Sequence, residues 1–154
     1  MTAIRMLPAT QRRRLAPLLE TYATEMRTTL AGSRPASGAD AAALLAADPR
    51  AEVLVNDEED GITAFAIVFD LPEAVFARRC GALDDLFVRP DRRGQGLARR
   101  MIDALCAIGR ERGWSHLRWI VPEADCAAIA LYERVATRAG WRSYVIRLDP
   151  EASL

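Results

Sequence analysis

The sequence predicts a single mixed α/β domain arranged around one central sheet, and three observations carry that prediction. The chain has 154 residues, enough to bury a substantial hydrophobic core in one domain. Its apolar residues follow two periods, short β-branched and aromatic runs alternating with longer stripes at helical spacing. The resulting order is strand, helix, helix, three strands, helix, strand, helix, strand, a pattern that wraps helices around a sheet. No repeat or low-complexity linker divides residues 1–154.

Ala3 to Leu7 reads as a short first strand, with Thr10 a candidate cap for the helix that follows. Leu15, Leu18, Leu19, Tyr22 and Met26 recur at helical spacing, and Pro17 requires that helix to start near it or kink there. Ala31 to Ala43 is the most loop-like interior stretch, ending in a short Ala/Leu helix before Asp48-Pro49. AEVLV (Ala51 to Val55) and ITAFAIVF (Ile62 to Phe69) have strand character, and the acidic turn between them predicts a hairpin. Leu83 to Val88 is the next strand. Leu97, Met101, Leu105 and Ile108 form a helical stripe that Gly113 stops. His116 to Val121 returns as a strand that Pro122 ends. Asp125 can cap a last helix with Ala128, Leu131, Val135 and Ala139 on one face, and Ser143 to Leu148 reads as a closing strand.

Composition narrows the function classes. Acidic and basic residues balance at 21 each, so no global field recruits nucleic acid or an anionic membrane. No apolar run approaches the roughly 20 residues of a membrane-spanning helix. The N-terminal basic cluster follows a short apolar piece, the reverse of a secretory signal, so a cytoplasmic location is the expectation. Every basic side chain is Arg, which excludes Schiff-base chemistry on Lys. Cys80, Cys106 and Cys126 are widely spaced and His116 is the sole histidine, a set that supports neither a disulfide framework nor a metal centre.

Chemistry concentrates in LDDLFVRPDRRGQGLARRMIDAL, where a strand runs through Arg89-Pro90-Asp91 into a glycine-containing turn that opens a long helix. Gly94 and Gly96 allow close approach of a ligand to the backbone. The first helix amides have no internal partners and carry the positive end of the helix dipole. Together they make a pyrophosphate cradle over Arg93, Gly94, Gln95, Gly96, Leu97, Ala98 and Arg99, with Arg92, Arg93, Arg99 and Arg100 close by for charge. A dinucleotide fingerprint fails because Arg99 stands where its third glycine belongs, and a P-loop fails for want of Lys.

These residues resemble the acetyl-CoA motif of the GNAT superfamily, Arg/Gln-x-x-Gly-x-Gly/Ala, which Arg93, Gly96 and Ala98 satisfy in register. The preceding DDLFVRPDRRG resembles the family's lead-in strand. DCAAIALYERV resembles its Asn-x-x-Ala-x-x-Leu-Tyr helix, with Asp125 in place of the commoner Asn. The similarity covers residues 50 to 148 well and the N-terminal helices loosely. It implies a twisted, mostly antiparallel sheet splayed between its fourth and fifth strands and flanked by four helices.

The resemblance further implies an N-acetyltransferase using acetyl-CoA and no metal, with direct attack by an amine in a ternary complex. Backbone N–H groups near Phe87 and Val88 would polarise the thioester, and Asp125 would lie by the cofactor. Tyr132 would protonate the departing thiolate, since a phenol with a reference pKa of about 10 holds its proton at neutral pH. Asp84 and Asp85 are the candidate bases; as neighbours on a strand they are expected to face opposite sides. Tyr22 and Glu25, on the first long helix, are candidates for the acceptor wall. Gly140-Trp141 follows Tyr132 by eight residues rather than the family's usual four or so, which predicts a last helix about one turn longer.

The acceptor read from these features is a primary amine on a small molecule. A protein N-terminus or aminoacyl-tRNA is the alternative within the fold, and neutral charge weakens the tRNA version. A non-catalytic acyl-CoA-binding module is the alternative outside catalysis. Proteins of this resemblance are commonly dimeric, which leaves a homodimer open.

Overall fold

The computed structural model describes residues 3–30, 37–146 and 148. Five strands form one sheet in the order of the chain: β1 (Ala3–Met6), β2 (Glu52–Glu58), β3 (Gly61–Glu73), β4 (Arg78–Val88) and β5 (Trp114–Arg118). The first four pair antiparallel, and β5 joins β4 in parallel. Four helices flank it: α1 (Ala16–Leu30), α2 (Gly38–Ala47), α3 (Leu97–Arg112) and α4 (Cys126–Val135). A mixed α/β domain is therefore present, with the sheet and the four helices expected.

Alternation along the strands builds two cores. Val53, Val55, Phe65, Ile67 and Phe87 face α1, α2 and the 3-10 turn Ala9–Leu15, where Leu15, Leu18 and Leu19 are buried. Leu54, Ala64, Ala66, Val68, Leu83 and Val88 face α3, meeting Leu97, Met101 and Leu105. Because both faces are covered, β2 and β3 read as nearly continuous apolar runs rather than alternating ones. Trp114 locks β5 under α3: a Cβ at Gly81 of β4 or at Gly109 of α3 would collide with its ring. The buried Arg12 guanidinium ties the N-terminal turn to the end of α2, donating to the carbonyls of Leu45 (2.5 Å), Asp48 (3.2 Å) and Ala51 (2.7 Å).

Several boundaries differ from expectation for physical reasons. Thr10 caps nothing; Pro8 precedes a 3-10 turn, and α1 begins at Ala16 with Pro17 in its first turn, where a missing N–H costs no helical bond. α2 begins at Gly38, inside the stretch read as loop, because the Ser37 side chain accepts from the Asp40 amide (3.1 Å); residues 31–36 lie outside the described residues. β5 starts at Trp114 rather than His116, since left-handed Gly113 (φ 74°) turns the chain directly into the sheet. α4 stops at Val135, where Ala136 turns extended, so Ala139 is not on it and the expected extra turn is absent. No residue of α4 is buried, so no tertiary contact offsets the weak propensity of its end. The closing strand expected at Ser143 to Leu148 does not form among the described residues, which run unpaired and exposed.

Candidate active site

Where β4 and β5 part, the sheet opens. Pairing runs from Arg79↔Trp114 to Ala82↔Arg118 and no further, so Leu83–Val88 has no neighbour on that side. The β3–β4 register identifies which main-chain groups face the gap. Arg89 N–H donates to the Thr63 carbonyl (2.8 Å), and with Phe65 opposite Phe87 the hydrogen-bonded pairs are 63–89 and 65–87. Phe87 thus spends its N–H and C=O on β3, whereas Val88 directs both groups into the opening. Of the two amides expected to polarise a thioester, the free one is that of Val88; Phe87 supplies a ring to the α1-side core.

The glycine turn lies immediately beyond. Gly94 and Gly96 both adopt left-handed backbone (φ 74° and 73°), and a Cβ at either would meet nothing within 4 Å. Gly96 is the N-cap of α3 and brings no side chain to cap it, so the first α3 amides remain open to an external acceptor. Leu97 sends its side chain into the core and Ala98 packs behind it, leaving their backbone to face outward. Gln95 is exposed, and Arg99 pairs with Asp103 one turn on (3.2 Å). These open amides fit a pyrophosphate, main chain to anion, and the Val88 N–H is left as a donor toward the opening.

Arg89, Arg92, Arg93 and Arg99 are already engaged by protein groups. Arg93 donates from Nε to the Val88 carbonyl (3.0 Å) and from its terminal nitrogen to Glu25 (2.8 Å), with its guanidinium 5.1 Å from the Phe87 ring centre. Arg89 and Arg92 share Asp60 and Asp91, and Arg92 also reaches Glu58, bracing the turn against the β2–β3 hairpin. Sequence reasoning missed both arrangements; they join residues up to 68 positions apart, and no local pattern announces them.

On the α1 side of β4 the acidic pair departs from simple alternation. Ile67 pairs with Asp85 and Val68 with Leu83, so Asp84 is an extra residue, a β-bulge. With Asp84 at the bulge, simple alternation no longer sets the direction of its side chain, and its charge acts on the neighbouring Asp85. Asp84 is exposed and Asp85 half-buried. Tyr22 donates its hydroxyl to Asp85 (2.5 Å) and stacks in a cluster with Phe87 and Phe65, ring centres 5.0 and 5.5 Å away. It is at once a core ring and a polar contact.

Burial raises the Asp85 carboxyl above the usual carboxylate range, and the neighbouring Asp84 charge pushes the same way against the Tyr22 hydrogen bond. Burial also raises the Tyr22 phenol, helped by the Asp85 charge, and an ionised Tyr132 would oppose its ionisation further. Tyr132 itself is raised, by burial first and by Asp125 second, so it keeps its proton well past neutrality. It stands on α4, edge-on to Trp119 with ring centres 5.3 Å apart. Asp125 caps α4 by accepting from the Ala128 amide (3.1 Å), a structural use of the carboxylate expected beside the cofactor. Among the described residues no cluster of three or more ligating side chains could hold a metal, and no helix is long and apolar enough to cross a membrane.

Comparison with known proteins gives the family and the fold. The sequence model of the acetyltransferase (GNAT) family matches residues 7–136. A thialysine N-epsilon-acetyltransferase of Caenorhabditis elegans is 35% identical over 75 residues, 46% of this chain and 46% of that protein; the match spans under half of the relative. The crystal structure of a ribosomal-protein-alanine N-acetyltransferase from Brucella melitensis biovar Abortus 2308 has a TM-score of 0.80 and 34% identity, covering 96% of this chain and 100% of that one. An aminoglycoside acetyltransferase from an uncultured soil metagenomic sample shares the fold at TM-score 0.76 and 22% identity, over 97% of this chain and 99% of that one. With an open sheet, an uncapped glycine turn and a family match over most of its length, the chain belongs to the GNAT family of acetyltransferases.

Proposed function

We propose that the enzyme transfers the acetyl group of acetyl-CoA to a primary amine on a small molecule, by direct attack in a ternary complex. The observation that carries this reading is the bulged Asp84–Asp85 pair beside Tyr22, an anionic corner that suits an ammonium group arriving from solvent. Glu25 adds a further carboxylate on the same helix as Tyr22.

Acetyl-CoA supplies the thioester acyl group, held by the backbone of Arg93 to Arg99 and by Val88. The amine must be neutral to attack, and the acidic pair accepts its proton directly or through water. Asp85 is suited to this because its raised affinity for a proton makes it a better base than an ordinary carboxylate. Asp84, at the exposed end, receives and orients the ammonium form. The Val88 N–H donates to the carbonyl oxygen as negative charge develops on it. Tyr132 gives its proton to the leaving thiolate. The relative acting on thialysine, by name an amine-bearing amino acid, supports a small-molecule acceptor.

A second reading, acetylation of a protein N-terminus, is favoured by the 34% identity to an enzyme named for ribosomal-protein alanine. Thiol release from acetyl-CoA, followed with lysine analogues, polyamines, aminoglycosides and alanyl-peptides, separates the two. Turnover with free amines that falls in Tyr132→Phe supports the first; turnover confined to peptides replaces it with the second. Binding of acetyl-CoA with no turnover on any of them returns the chain to a non-catalytic role.

A further inference from the structure

Tyr22 leaves α1 with its ring packed against Phe65 of β3 and Phe87 of β4, edge-on to the first at 79° and tilted to the second at 48°. That packing joins it to the core of Leu18, Val55 and Ile67. A ring held this way gives its hydroxyl one destination, which is Oδ1 of Asp85 at 2.5 Å. With the ring packed and the hydroxyl spent, Tyr22 has little left to offer an arriving acceptor.

The bond runs in one direction. Burial first, and then the facing Asp85 charge, hold the phenol proton well above the usual phenol range, so Tyr22 donates and the carboxylate accepts. A donor to the ionised carboxylate favours that form, which opposes both burial and the charge of Asp84. The surrounding elements add no competing cation. Opposite Asp85, β3 sets the apolar Ile67, and from α4 Tyr132 bears on Tyr22. Arg93 lies over the Phe87 ring with its terminal nitrogen turned to Glu25.

We infer that Tyr22 is a positioning residue for the base: its hydroxyl holds Oδ1 of Asp85 in place and leaves Oδ2 to take the proton of the attacking amine. In that transfer an N–H bond of the amine breaks and an Oδ2–H bond forms, while Tyr22 keeps its own proton. Two neighbours then set the working pH of Asp85 in opposite senses, Asp84 raising it and Tyr22 lowering it. The assignment rests on the proposed reading of Asp85 as the base, and the two are separable by measurement.

Tyr22→Phe removes the hydroxyl and keeps the ring, so circular dichroism should show an unchanged fold. Its acid limb of kcat/KM should move up by about one pH unit, costing roughly tenfold in rate below the limb and less than about twofold on the neutral plateau. Asp84→Asn should move the limb the other way, and the double variant should return it toward the wild-type position. NMR titration of the Asp85 carboxyl, assigned with Asp85→Asn in protein free of acetyl-CoA and amine, should show the same upward displacement in Tyr22→Phe. That readout needs no turnover. A carboxyl that does not move would overturn the role of Tyr22 and leave Asp85 as base intact. A carboxyl that moves under a stationary acid limb would overturn both, since the base would then be another group. A raised KM for the amine with neither displacement would return Tyr22 to the acceptor wall.

Discussion

The two halves of the site are built on different principles. The proposed cofactor turn is a piece of contiguous chain: Arg93 to Arg99 needs only two left-handed glycines and a helix that starts without a cap. The proposed acid–base corner draws on three elements, with Tyr22 from α1, Asp84 and Asp85 from β4, and Tyr132 from α4. The first uses backbone, so almost any side chain facing solvent there is tolerated. The second uses side-chain charge and burial, so its chemistry depends on packing at distant points. A main-chain site loses its ligand to bulk, whereas a side-chain site loses rate to single atoms.

The largest effect should come from bulk at the turn. Gly96→Trp should weaken acetyl-CoA binding at least about 100-fold by calorimetry, because left-handed backbone and ligand approach both exclude a side chain. The fold should survive, since nothing of the protein lies within 4 Å of that Cβ. Tyr132→Phe should leave binding within about threefold and lower kcat by about 100-fold, the range of one general acid. If instead binding collapsed, α4 would be part of the cofactor half.

Asp84→Asn sharpens the division of labour within the acidic corner. Removing its charge relieves one of the causes that raise Asp85, so the acid limb of kcat/KM should move to lower pH, with a loss of about tenfold at most. A collapse of activity with no shift would make Asp84 the base. Asp85→Asn should also stabilise the fold near neutral pH. A carboxyl raised in the folded state binds its proton more tightly there, so the wild type loses stability as pH climbs above the ordinary carboxylate range. The gain, about 2–4 °C in Tm per kcal/mol relieved, should vanish on acidification. The smallest effect should be that of Glu25→Gln, about a twofold to threefold rise in KM for the amine. Its ion pair with Arg93 is half-exposed and correspondingly weak.

The same contrast decides what could be read from sequence. The turn was legible because its cause is local: glycine spacing, helix start and preceding strand all fall within a few residues. The sheet was legible through strands of β2, β3 and β4, whose apolar runs are long. Asp84 and Asp85 could be named as candidates but not oriented, because a bulge depends on register with β3 and leaves no signature in a single strand. Tyr22 could not be joined to Asp85 across 63 positions without the fold. Ser143 to Leu148 has the composition of a strand, and composition cannot state whether a partner is present to make it one.

Arg12 has a consequence of another kind. Its guanidinium clasps three carbonyls on either side of the point where the chain leaves α2 for β2. Arg12 thereby pins both the approach to α1 and the exit from α2, so the placement of Tyr22 and Glu25 rests in part on a residue that bonds to neither.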